Sequence, residues 1–127
     1  MSSYISFLGP LNEEKMVESY LKSNIFICPS SIENSPNSLG EAQILGVPCI
    51  ASYVGGVPDM IEDNKTGMLY RFEDYKILAA KIREIFLMKK NKLKELSNNE
   101  AEIARKRHDL DVNTRRLIEI YNAINKE

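Results

Sequence analysis

The feature that most constrains this chain is the run Ile25-Phe26-Ile27-Cys28, apolar at every position and stopped by Pro29. A half-exposed strand alternates apolar and polar residues. An unbroken apolar run suits a strand covered on both faces, as in a parallel sheet flanked by helices. Three further runs fit beside it: Tyr4-Ile5-Ser6-Phe7-Leu8, stopped by Gly9-Pro10; Val47-Pro48-Cys49-Ile50-Ala51; and Gly67-Met68-Leu69-Tyr70. Each predicts a strand.

Helical stretches separate these runs. Asn12 can cap a helix whose first turn holds Glu13 and Glu14, where the dipole favours acids, and Met16, Val17, Tyr20 and Leu21 keep helical spacing. Ser38 to Leu45 gives about two turns closed by Gly46, and Met60-Ile61 suggests a short helical turn. From Asp74 onward the pattern predicts helices over 74–89, 91–107 and 111–125. Ser97-Asn98-Asn99-Glu100 has capping-box spacing and marks a restart of the middle one. Strands alternating with helices imply parallel βαβ units, hence an α/β, Rossmann-like parallel sheet with flanking helices and a helical C-terminal tail. At 127 residues the chain supports one core, read as one partial domain with βα units in 1–72 and mostly helix in 73–127.

Charge excludes some partners. The 17 basic residues nearly cancel the 18 acidic ones, so nothing in the balance directs the chain to nucleic acid. Basic residues cluster from Lys89 to Arg116, but Glu95, Glu100, Glu102 and Asp109 are interleaved, which suits solvated helix faces; a peripheral membrane contact is the alternative. No apolar run approaches the roughly 20 residues of a membrane span. Met1-Ser2-Ser3 leads straight into a predicted strand, which leaves no room for a signal peptide. Cys28 and Cys49 sit inside apolar runs without metal-ligand spacing and read as buried thiols. His108, the single histidine, lies in a polar stretch distant in sequence from the candidate loops and reads as a surface residue. Together these features predict a cytoplasmic protein without a metal site.

In such sheets ligands bind outside the carboxyl ends of the strands, which nominates Gly9-Pro10-Leu11, Pro29 to Ser38 and Ser52 to Pro58. The most informative stretch is Pro29-Ser30-Ser31-Ile32-Glu33-Asn34-Ser35-Pro36-Asn37-Ser38-Leu39-Gly40-Glu41-Ala42. It puts one carboxylate, Glu33, in the loop and a second, Glu41, near the start of the following helix. A helix N-terminus offers unpaired N–H donors and partial positive charge to a phosphate. A carboxylate one turn further in can accept from ribose hydroxyls, and one in the loop can reach a sugar beyond the phosphates. The pattern suits a sugar–diphosphate–nucleoside. The same residues also fit a bland account: Ser38-Leu39-Gly40-Glu41 has capping-box spacing, and Glu33 can be a solvated loop residue.

In order along the chain stand Phe7-Leu8-Gly9-Pro10-Leu11, Pro29-Ser30, Glu33, Glu41-Ala42, Gly46-Val47-Pro48, Gly55-Gly56-Val57-Pro58, Ile61 and Thr66-Gly67. This ordered set resembles the signature of the retaining glycosyltransferases often called group 1, built from two Rossmann-like domains in the GT-B fold, and covers about residues 4 to 90. The resemblance implies that the chain is the C-terminal part of the donor-binding domain. It implies a nucleotide-sugar as substrate, with neither metal nor cofactor. Glu41 would accept from the ribose, and Glu33 would lie beside the transferred sugar as the catalytic carboxylate. Backbone N–H groups of Asn34, Ser35, Asn37, Ser38 and Leu39 would reach the sugar and diphosphate. Pro10 and Leu11 would lie against the nucleobase, and Gly55 and Gly56 would let the backbone pass close to the site. Two residues depart from the pattern: Pro36 stands where glycine is frequent, and Asp59 where glutamate is commoner.

The family's sugar-diphosphate site also uses an Arg and a Lys from an earlier strand–helix unit, and its acceptor binds to an N-terminal domain. Neither lies within these residues, so the 127-residue chain alone is expected to be inactive. An alternative is a non-catalytic binding or interaction module derived from such a domain, and a weaker one is a flavodoxin-like or receiver domain. In the family's strand order 3-2-1-4-5-6 the four predicted strands would be three, four, five and six. Ile25–Cys28 would then present an open apolar edge. Either the Ile5–Leu8 strand moves beside it, or another copy covers it. Self-association is the favoured outcome, to be checked by light scattering.

Overall fold

The computed structural model describes residues 3–125, so Met1 and Ser2, part of the leader-free start inferred above, lie outside it. Its elements in chain order are α1 (Glu13–Lys22), β1 (Phe26–Cys28), α2 (Asn37–Ile44), β2 (Cys49–Ser52), α3 (Val57–Met60), β3 (Met68–Tyr70), α4 (Tyr75–Leu87), α5 (Lys90–Arg107) and α6 (Leu110–Ile124). The three strands form one parallel sheet in the order β1-β2-β3. Phe26 pairs with Cys49, Ile27 with Ile50 and Cys28 with Ala51; on the far side Ile50 pairs with Met68 and Ser52 with Tyr70.

The sheet is covered on both faces, although the all-apolar run that suggested this forms the edge strand β1, where Phe26 and Ile27 are only half-buried. All four residues of β2 are buried. Its side chains alternate between two core clusters. Cys49 and Ala51 join Tyr20, Cys28, Leu39, Ala42, Val57 and Met60, whereas Ile50 joins Met68, Tyr70 and Ile85 on the opposite face, with Leu78 and Ile82 of α4 packed against them. Both cysteines are free and buried, and burial pushes the Cys49 thiol far above its usual range.

Local signals account for the helix ends. Asn12 Oδ1 accepts from the Lys15 amide at 3.0 Å, and Asp74 and Asp109 cap α4 and α6 in the same way. Gly46, after α2, has φ +72°, the left-handed conformation that glycine adopts without strain.

Two expectations are overturned. Residues 5–8 are not a strand: Ile5, Phe7 and Leu8 are exposed, and the segment pairs with nothing in the sheet. A strand needs a neighbour to satisfy its backbone groups, and none among the described residues lies beside this one. The segment has not moved next to β1, whose outer edge pairs with no strand among the described residues. Of the four apolar residues with helical spacing in α1, Val17 and Leu21 are exposed and only Tyr20 is fully buried. Finally, α5 runs unbroken through Ser97–Glu100, so no capping box restarts it there.

Glu100 instead points inward. It is fully buried, and neither carboxylate oxygen has a hydrogen-bond partner. Gln43 and Cys49 favour its charged form, but the Gln43 amide donates to the Met60 carbonyl and the Cys49 thiol to the Val47 carbonyl. Burial therefore dominates, and the carboxyl is pushed up to about 8, only partly offset by Cys49, Gln43 and the Arg107 charge.

Candidate functional site

The loops that leave the carboxyl ends of β1 and β2 meet. Ser52, buried at the end of β2, donates through its hydroxyl to the Ser30 carbonyl at 2.6 Å, which ties the loop after β1 to the sheet. The Ser30 hydroxyl in turn donates to Glu33 Oε1 at 2.7 Å, holding that half-buried carboxylate near the strand end. Opposite lies the Gly55-Gly56 turn. A Cβ added at Gly55 would stand 1.5 Å from the Glu33 carbonyl oxygen, and one at Gly56 would stand 2.0 Å from that of Asn34. Gly55 also has φ +51°. Both the close approach and the backbone turn therefore require glycine here.

The helix α2 begins one residue earlier than its spacing predicts. Pro36 occupies the N-cap position, where its missing N–H costs nothing, and no side chain caps the helix. Its carbonyl accepts from the Leu39 and Gly40 amides at 3.1 and 3.2 Å. The amides of Asn37 and Ser38 remain as open donors at the positive end of the helix. Ser38 is thus inside the helix, and the capping box that would have tied up Glu41 does not form.

Glu41 has a different partner. Tyr20 of α1 donates its hydroxyl to Glu41 Oε2 at 3.1 Å. Burial, followed by this hydrogen bond, pushes the phenol up to about 12, so it stays protonated as a donor. Glu41 and Leu11, two residues nominated from sequence, line one cleft of about 440 Å³ between α1 and α2, together with Glu13, Met16, Tyr20 and Ile44. Pro10 precedes Leu11 in the chain and is exposed.

Behind α2 stands a polar brace that sequence spacing does not reveal. Arg107 donates to Gln43 Oε1 at 2.5 Å and to the Met60 carbonyl at 3.0 Å, while Gln43 Nε2 donates to that same carbonyl. The brace joins α2, α3 and the end of α5. His108, read above as a surface residue, is exposed and packs against α2 on the side of the brace: its Nε2 is 2.9 Å from where a Cβ on Gly40 would be. No periodicity links residues 40 and 108. The burial of Tyr20, by contrast, carried a signal, since a buried phenol usually finds a partner for its hydroxyl.

Parallel strands wound with helices on both faces, and candidate loops gathered at their carboxyl ends, define a Rossmann-like α/β domain. The sequence profile described as "Glycosyl transferases group 1" matches residues 2–107. The chain belongs to this family, in the GT-B fold. Sulfoquinovosyl transferase of Arabidopsis thaliana is 30% identical over 82 residues, covering 62% of this chain and 16% of that protein. Sucrose-phosphate synthase from Thermosynechococcus elongatus superposes with a TM-score of 0.84 at 25% identity, covering 95% of this chain and 30% of the other. HepE of Anabaena, crystallised in complex with UDP-glucose, superposes with a TM-score of 0.77 at 20% identity over 85% of this chain and 30% of that one. The chain thus spans less than a third of these proteins. No helix among the described residues is long and apolar enough to cross a membrane.

Proposed function

We propose that this chain forms the donor-binding part of a retaining glycosyltransferase, which moves a sugar from a nucleotide-sugar to an acceptor held by the rest of the protein. The observation that carries the reading is the cleft shared by Leu11 and Glu41, one turn in from the open amides of Asn37 and Ser38. Diphosphate charge is favoured at that helix end. In this reading Glu41 takes the ribose hydroxyls and Leu11, with Pro10, borders the nucleobase. The bound UDP-glucose of the Anabaena protein, which shares the fold, supports a donor of this class.

Glu33 is then the carboxylate nearest the transferred sugar. As the bond to the diphosphate breaks, positive charge develops on the sugar ring, and a fixed carboxylate stabilises it. The hydrogen bond from Ser30 holds Glu33 in place for that role. Cationic side chains for the leaving diphosphate come from elsewhere in the protein, as does the acceptor. Action on a cytoplasmic glycan or polysaccharide precursor belongs to the same proposal.

The test is Glu41→Gln in the full-length protein. Nucleotide-sugar affinity measured by calorimetry is expected to fall by about 1.5–3 kcal/mol, the range for hydrogen bonds to a charged group. Melting temperature should barely change, because no helix cap depends on Glu41. Unaltered affinity would remove Glu41 from the donor site and the reading with it.

A further inference from the structure

We infer that Tyr20 is a positioning residue for the donor ribose: its buried hydroxyl fixes the Glu41 carboxylate and leaves Oε1 free to meet the sugar. The inference rests on the proposed role of Glu41 and adds a residue from a different helix to that site.

The geometry sets Tyr20 apart from the other polar groups of the cleft. Its side chain is 5% exposed, and its ring meets Phe26 of β1 edge-on at a centroid distance of 5.6 Å. The core therefore holds the phenol, and its oxygen has one position. Glu41 is the reverse case. It is an exposed residue on a flexible stem, absent from every ion pair among the described residues, and the Tyr20 hydroxyl is the hydrogen-bond partner its carboxylate has. A free glutamate side chain loses rotamer freedom when it binds a ligand. One already held by a rigid donor loses less, so the ordering cost is met by folding and not by binding.

The direction of the hydrogen bond matters as well. The phenol donates to Oε2, and a carboxylate oxygen can accept more than one hydrogen bond. The whole of Oε1 remains for ribose. The hydroxyl thus sets which way the acceptor faces, while the hydroxyls of the ligand supply the protons. A deoxyribose has one fewer hydroxyl to present, so the contrast between ribose and 2′-deoxyribose reads out how well Glu41 is aimed.

Calorimetry on the full-length protein tests this with UDP and GDP, each against its 2′-deoxy counterpart. Tyr20→Phe keeps the ring and removes one oxygen. It should shrink the preference for ribose about tenfold or more, the loss expected of a hydrogen bond to a charged group. In a Glu41→Gln background the same change should add nothing. The preference is a ratio, so any loss of folded fraction cancels from it. A preference that Tyr20→Phe leaves intact, in protein where Glu41→Gln abolishes it, overturns the role of Tyr20 and spares that of Glu41. A preference untouched by Glu41→Gln, or no binding of either nucleotide by the unsubstituted protein, overturns both.

Discussion

Glu100→Gln is expected to stabilise the protein by roughly 3 kcal/mol at pH 7, levelling near 5 kcal/mol above pH 8 and vanishing below about pH 4.5. Glu100 is fully buried on α5 with neither oxygen hydrogen-bonded, and burial raises its carboxyl from an ordinary 4.5 to about 8. Between those values the native protein holds a proton that the unfolded chain has released. The stability that the protonated Glu100 contributes is therefore present in full below the unfolded value, falls as pH rises, and is gone beyond the folded one. Gln is close in shape and never ionises, so the variant keeps what the glutamate forfeits. The groups that favour the ion, Cys49, Gln43 and the half-buried Arg107, are already counted in the shift. Denaturant titrations of both proteins from pH 4 to 9 decide the matter. Parallel curves would show that Glu100 finds water or a cation in solution.

Gly55→Ala should cost at least about 3 kcal/mol and uncouple the Glu33 loop from the turn opposite it. Two effects combine. A left-handed φ of +51° costs an alanine about 1–2 kcal/mol on its own. The collision adds to it, because a Cβ 1.5 Å from the Glu33 carbonyl oxygen cannot be accommodated without moving backbone. Gly46→Ala separates these terms. Its φ is +72°, yet the nearest atom to the added Cβ is the Ser97 carbonyl oxygen at 3.6 Å, an ordinary contact. That variant should show the strain alone. Equal losses at the two positions, measured as shifts in denaturant midpoint, would mean that the two loops do not approach as described.

Much of this arrangement is legible in the residues. The apolar run at Ile25–Cys28 announces a sheet covered on both sides, Asn12 and Gly46 mark helix ends, and the Pro29–Ala42 stretch points to the site. Those signals are local, carried by backbone preference and burial within a few residues. Three features are not local. The strand-like residues 5–8 have the composition of a strand, but composition does not provide a neighbour to pair with. The spacing Ser97 to Glu100 satisfies a capping pattern that the packing of α5 onto α2 overrides. The Tyr20–Glu41 bond and the place of His108 beside Gly40 join positions 21 and 68 residues apart, a distance at which only the assembled fold brings side chains together.

The last helix, α6, has no such ties to the core. Its sequence is amphipathic but none of its residues is buried, and Leu117, Tyr121 and Ile124 are more than half exposed. A helix of 15 residues standing alone in water is marginal. As long as nothing covers that apolar side, its opening need not wait for the sheet to come apart. Its amides would exchange with solvent deuterium at a rate nearly indifferent to low denaturant, while those of β2 would follow global unfolding. Two clocks would then run in one chain, and whatever docks on α6 could be recognised by the slowing of the faster.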